Sequence, residues 1–138
     1  MFNMVQMMLG CVYLSGHIDC ADEQNLALIK EGIDLYKKNR DVLLYANPVY
    51  PTGLCRMADK SILSLGMQDS ADGTLLLAVW KTGEQTEAVI DLEKHVGVNG
   101  KLSAVYPVRA TDSVTLKGSS LTVKFPECDS AVWVKITK

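Results

Sequence analysis

The chain has 138 residues, 48% hydrophobic and 22% charged, with a net charge of −2. That length suits one domain burying roughly two-thirds of the surface of its unfolded form, and the apolar content excludes intrinsic disorder. Acidic and basic residues are intermingled with no basic stripe to neutralise phosphates, which excludes nucleic acid as the expected partner.

The opening stretch, "MFNMVQMMLGCVYLSG", has no Lys or Arg ahead of its apolar run, the first basic residue being Lys30. It therefore does not read as a secretory leader, and it is too short and interrupted to cross a membrane. Val5, Met7, Met8, Leu9, Cys11, Val12, Tyr13 and Leu14 predict an apolar strand buried on both faces, with a buried helical turn at its start as the other reading.

Next comes "LSGHIDCADE", which gathers Ser15, His17 and Asp19 between the apolar run and a helix. Two readings stand here. The residues are the rim of a site, or the segment is a turn in which Asp19 or Asp22 accepts from the open N–H groups of the helix. A Ser-His-Asp nucleophile is poorly framed, because Leu14-Ser15-Gly16 lacks the preceding glycine of a nucleophile elbow.

Residues 22–44 predict one long amphipathic helix. Leu26, Ile29, Ile33, Tyr36 and Leu43 recur at helical spacing, with Leu28, Leu35 and Val42 along the edge of the same face. Together they cover roughly half the circumference, which is wide for a helix resting on one small sheet. Lys30, Glu31, Asp34, Lys37, Lys38 and Asp41 form the solvated side.

"ANPVYPTG", Ala46 to Gly53, ends the helix with two prolines and a glycine. From there on the chain predicts short strands: Ser61–Gly66, Thr74–Trp80, Glu87–Leu92, Leu102–Pro107, Ser113–Leu116, Ser120–Phe125 and Ala131–Ile136. Turns fall at Asp72-Gly73, Asn99-Gly100 and Lys117-Gly118-Ser119. The expected fold is mainly β, an antiparallel β-sandwich over 46–138, preceded within 1–45 by the apolar strand and the long helix.

Cys11, Cys20, Cys55 and Cys128 form no C-x-x-C pair, and with only His17 and His95 to join them no metal site or cofactor is expected. His95 reads as a loop residue. The acids lie on the helix's polar face and in turns, not framed as the closely spaced pair that glycoside hydrolysis requires. Trp80, Trp133, Tyr50 and Tyr106 read either as core or as a stacking platform for sugar rings, and the second reading makes the chain a small carbohydrate-binding module.

The ordered string "MMLGCVYLSGHID", "EQNLALIKEGIDLYKKNRDVLL", "PVYPTGL", "LLLAVWKTG", "AVYP" and "LTVKFPECDSAVWVKI" resembles the C-terminal end of α-galactosidases of glycoside hydrolase family 36. In that family a Leu-Ser-Gly segment follows the last strand of the catalytic (β/α)8 barrel. The final barrel helix comes next, with positions matching Tyr36, Lys37 and Arg40, and then an antiparallel β-sandwich. The resemblance implies that residues 1–45 are the last barrel strand and helix, and that Ser15, His17 and Asp19 sit at the pocket rim of an intact parent acting on galactosides. The family's two catalytic aspartates lie on earlier barrel strands, and no residue here matches them. The expected role is structural support, with no catalysis by the chain alone. A barrel helix and strand without their neighbours would leave apolar surface bare, so self-association through residues 1–14 and the helix is also expected.

Overall fold

A computed structural model describes residues 2–15, 18–54, 61–125 and 130–138. In order they form helix α1 (Phe2–Met7), helix α2 (Glu23–Leu43), strands β1 (Ala46–Val49), β2 (Ile62–Asp69), β3 (Leu75–Lys81) and β4 (Glu87–Asp91), and a single helical turn, α3 (Glu93–Val96). Strands β5 (Lys101–Tyr106), β6 (Val114–Lys117), β7 (Ser120–Lys124) and β8 (Ala131–Thr137) complete the fold. All strand pairs are antiparallel. One sheet has the order β1-β2-β3-β8-β5 and the other β4-β7-β6. The mainly-β, two-sheet architecture with a long N-terminal helix is as expected.

The five-stranded sheet is the middle of three layers. Along β3, Leu75, Leu77 and Val79 face the small sheet, while Leu76, Ala78 and Trp80 face the helices. On β8, Val132, Val134 and Ile136 alternate in the same way with Ala131 and Trp133. Both strands are therefore covered on both faces, which explains runs as continuous as "LLLAVW". β4 and β7 bury only alternate residues, Ala88 and Ile90 on the first and Leu121 and Val123 on the second. Their outer face meets water, and their sequences alternate accordingly.

The N-terminal apolar strand expected over 1–14 is not formed. Residues 2–7 are helical, followed by a turn and then irregular chain to Ser15. Met4, Val5, Met8 and Leu9 share one helical face and are buried on the middle sheet with Trp80, Tyr106 and Trp133. Asn3 and Gln6, on either side of the Met4-Val5 pair, are exposed. A strand would have sent Met4 and Val5 to opposite faces, whereas the helix buries both on a sheet that needs an outer cover. The bare surface that motivated self-association through residues 1–14 is thus largely occupied within the chain.

α2 begins where Asp22, with extended backbone, accepts from Asn25 N at 2.7 Å and from Asn25 Nδ2 at 3.0 Å. Asp22, and not Asp19, is therefore the cap. Asp22→Ala is expected to lower stability by about 1 kcal/mol, read from the urea midpoint at constant slope. The helix is tied down at two points. Tyr36 Oη donates to Gly10 O at 3.1 Å, and Tyr106 Oη donates to Leu28 O at 3.0 Å. At Gly32 it packs closely, for a Cβ there would lie 2.8 Å from Met4 Cε of α1 and 3.2 Å from the Tyr106 ring. That contact explains a glycine in mid-helix despite its cost of up to about 1 kcal/mol.

The broad apolar face of α2 is covered less than its width suggests. Within the helix only Gly32 and Asn39 are buried. Ile33, Leu35, Tyr36, Val42 and Leu43 pack on the sheet while remaining partly exposed, and Leu26 is 40% exposed. Just beyond the helix, Leu44 and Tyr45 are more than 70% exposed.

"ANPVYPTG" holds a strand as well as a turn: β1 pairs with β2 in the register Pro48 to Met67. Proline fits because β1 is an edge, where a missing N–H costs no ladder bond.

Candidate functional site

The rim segment is placed only in part. Ser15 is exposed on irregular chain, and Asp19 is exposed in a short turn of 3-10 helix, Ile18–Cys20. The Cys20 thiol donates weakly to Asp19 Oδ2 at 3.8 Å. His17 lies outside the described residues. Cys11 and Cys20 are exposed free thiols, while Cys55 and Cys128 lie outside the described residues.

The aromatic platform is not assembled. Trp133 is 1% exposed and Tyr106 is fully buried, both in the core beneath the helices. The rings belong there because β5 and β8 lie next to each other and pair Tyr106 with Trp133 on the helix-covered face. Trp80 keeps only its edge toward solvent, its Nε1 donating to Phe2 O at 3.4 Å. It borders an apolar cavity of about 290 Å3 with Phe2, Tyr50, Leu54, Leu63 and Leu65. Tyr50, 43% exposed, is the one expected platform ring with an open face.

A polar cleft of about 410 Å3 lies at the other end of β2, between the β2–β3 turn and α3. Its walls include Asn47, Gln68, Asp69, Asp72, Lys94 and His95. The acids here are engaged locally. Asp69 Oδ1 accepts from Ala71 N and Asp72 Oδ1 from Thr74 N, each at 2.7 Å, which shapes the turn around Gly73 at φ 74°. The Thr74 N–H holds the Asp72 carboxyl below its ordinary value. Gln68 Nε2 donates to His95 O at 2.6 Å and so fixes α3 against β2.

His95 sits on that helical turn rather than in a loop. Burial, and then the neighbouring Lys94 charge, push its imidazole below the usual 6.5, against a smaller opposing pull from Asp91. The unfolded chain therefore binds this proton more readily than the folded one. Stability is full above pH 6.5 and falls as the pH drops below it. His95→Gln is expected to flatten that part of the profile, measured as urea midpoint against pH between about 5 and 8.

Across the described residues no Asp or Glu side chain is buried. No three His, Cys, Asp or Glu residues among them are grouped to hold a metal, and no described helix is long and apolar enough to cross a membrane. The described carboxylates can cap helices, shape turns and keep the surface charged. The arrangement that sequence reasoning missed is the pairing of Gln68 with α3 around His95, which joins residues 27 apart and leaves no local pattern.

Compared with protein-family models, curated proteins and solved structures, the chain matches none.

Proposed function

We propose that this chain is the C-terminal supporting region of an α-galactosidase-like retaining glycoside hydrolase: a β-sandwich that carries the last barrel helix, α2, and holds it in place. The galactoside would be bound and cleaved by the parent's barrel, whose earlier strands would supply the two catalytic carboxylates. The order of motifs along the chain suggested the reading. The observation that carries it is the incomplete cover of α2.

Eight apolar side chains of this helix recur on one broad face, yet none is fully buried, Leu26 is 40% exposed, and Leu44, just beyond the helix, is 72% exposed. Contiguous apolar patches of several hundred Å2 mark interaction surfaces. A helix flanked by other barrel elements would have such a face. Its inner side rests on the sandwich, and its outer flank is left for the barrel. The exposed Ser15 and Asp19, at the approach to α2, are then the chain's contribution to the pocket rim.

The reading is tested by titrating galactose and α-galactosyl oligosaccharides while following tryptophan fluorescence. Trp80 borders a cavity together with Phe2 and Tyr50, so a sugar stacking there would perturb its emission. No saturable change is expected up to about 100 mM, far above ordinary site affinities. A saturable response would overturn the supporting role in favour of a carbohydrate-binding module.

A further inference from the structure

We infer that residues 2–9 form a strap that lifts off the middle sheet as one piece while the two sheets stay closed, and that lifting gives water to the buried indole of Trp133. The two helices divide the sheet between them: α1 lies chiefly over β3 and β8, and α2 over β2 and β5. Trp133 is on β8 and 1% exposed, and its Nε1 is buried with no hydrogen-bond partner, the one side-chain nitrogen or oxygen in that state among the described residues. In water an indole N–H finds an acceptor. Under α1 it has lost that acceptor without a replacement, so closing the strap carries a penalty that opening relieves. Tyr106, paired with Trp133 across β5 and β8, is satisfied where it lies, because its hydroxyl donates to Leu28 O of α2.

The strap is fastened differently at its two ends. At the first, Phe2 O accepts from Trp80 Nε1 at 3.4 Å, a long bond, and the Phe2 ring leans on Trp80 with centroids 6.0 Å apart and planes tilted by 45°. At the second, Tyr36 Oη donates to Gly10 O at 3.1 Å, which keeps Gly10 on α2 and makes it the point about which residues 2–9 turn. Between these ends Met4, Val5, Met8 and Leu9 bury apolar surface, and that burial makes the closed form the resting one. Closing must also order a segment that has little structure of its own. Six residues are too few for an isolated helix, and α1 has neither an acid in its first turn nor a base in its last. β8, by contrast, is paired on both sides, by β3 and β5. The strap therefore opens more readily than the sheets beneath it.

The inference does not depend on the proposed parent enzyme. Hydrogen exchange of the full chain, followed by NMR where reclosing outpaces exchange, is the test. The Trp133 indole N–H and the Met8 amide, which donates to Met4 O within the strap, should report one shared opening constant. That constant should exceed the one reported by the Val132 and Val134 amides of β8 by about tenfold or more. Urea should barely speed the first pair and steeply speed the second, because lifting the strap exposes far less surface than unfolding. Ile136→Val, on the opposite face of the sheet, weakens the sandwich alike with the strap open or closed. It should speed the β8 amides severalfold and leave the indole unchanged. Phe2→Ala, which removes the ring resting on Trp80, should speed the indole and Met8 together. An indole as protected as the β8 amides, with the same urea dependence and the same response to Ile136→Val, would overturn the inference. So would an indole that exchanges out of step with Met8, because α1 would then not move as one piece.

Discussion

Val5→Asp is expected to lower stability by several kcal/mol, a large part of the 5–15 kcal/mol typical of a domain. Val5 is fully buried between α1 and the middle sheet, in the cluster that contains Trp80 and Trp133. A carboxylate there loses its hydration and gains no partner. It will be driven toward its protonated form, so the loss should shrink as the pH falls toward the ordinary carboxylate value of about 3.9 and level off below it. Gln6→Asp, one position along on the exposed side of the same helix, should stay within about 0.5 kcal/mol. Urea denaturation of the two variants checks whether α1 belongs to the core. Equal, small effects would mean that residues 2–9 do not contribute to the folded unit.

The second large effect is expected between the sheets. Leu77 lies at the centre of β3, fully buried against the small sheet. Leu77→Ala removes the burial of its branched end and leaves a cavity that strands on both sides cannot close, a loss of about 2–5 kcal/mol. Val89→Ala, on the open face of β4 where Val89 is 66% exposed, should change stability by no more than about 0.5 kcal/mol. If both substitutions cost the same, the assignment of inner and outer faces along β3 and β4 is wrong. Calorimetry of the pair decides it.

The residues differ in how openly they announced these roles. Leu121, Val123 and Phe125 alternate with polar neighbours, so β7 and its inward face were legible at once. The turn at Asp72-Gly73 was equally plain, since the Asp side chain and the glycine's positive φ are what such a turn needs. In the opening stretch the apolar run fits a strand covered on both faces as well as a buried helical turn at its start, and the helical turn is what forms. The strands covered on both faces are β3 and β8, which lie between two layers. The helical signal in the opening stretch was the spacing of exposed Asn3 and Gln6 against buried Met4, Val5, Met8 and Leu9.

The aromatic residues were ambiguous for a different reason. A Trp in a strand looks the same whether its face of the sheet is bare or covered by a helix. Only the packing of α1 and α2 places Trp133 and Tyr106 inside. α3 was invisible because four residues are too few for a helical period, and its position depends on Gln68 from a distant strand. Asp22 is the cap, which removes one of the two structural readings of the acids in the rim segment, and Ser15 and Asp19 are exposed at the approach to α2.

The supporting role proposed for this chain also requires that bond cleavage occur elsewhere. Retaining hydrolysis needs two carboxyl groups about 5–5.5 Å apart, one of them held protonated by its surroundings. The described acids are exposed or partly exposed, and several are committed to turns and caps. The most direct measurement is hydrolysis of an aryl α-galactoside by the purified chain alone. Release of the aryl group no faster than in buffer is predicted; saturable turnover that is lost in Asp19→Asn or Ser15→Ala would contradict the account.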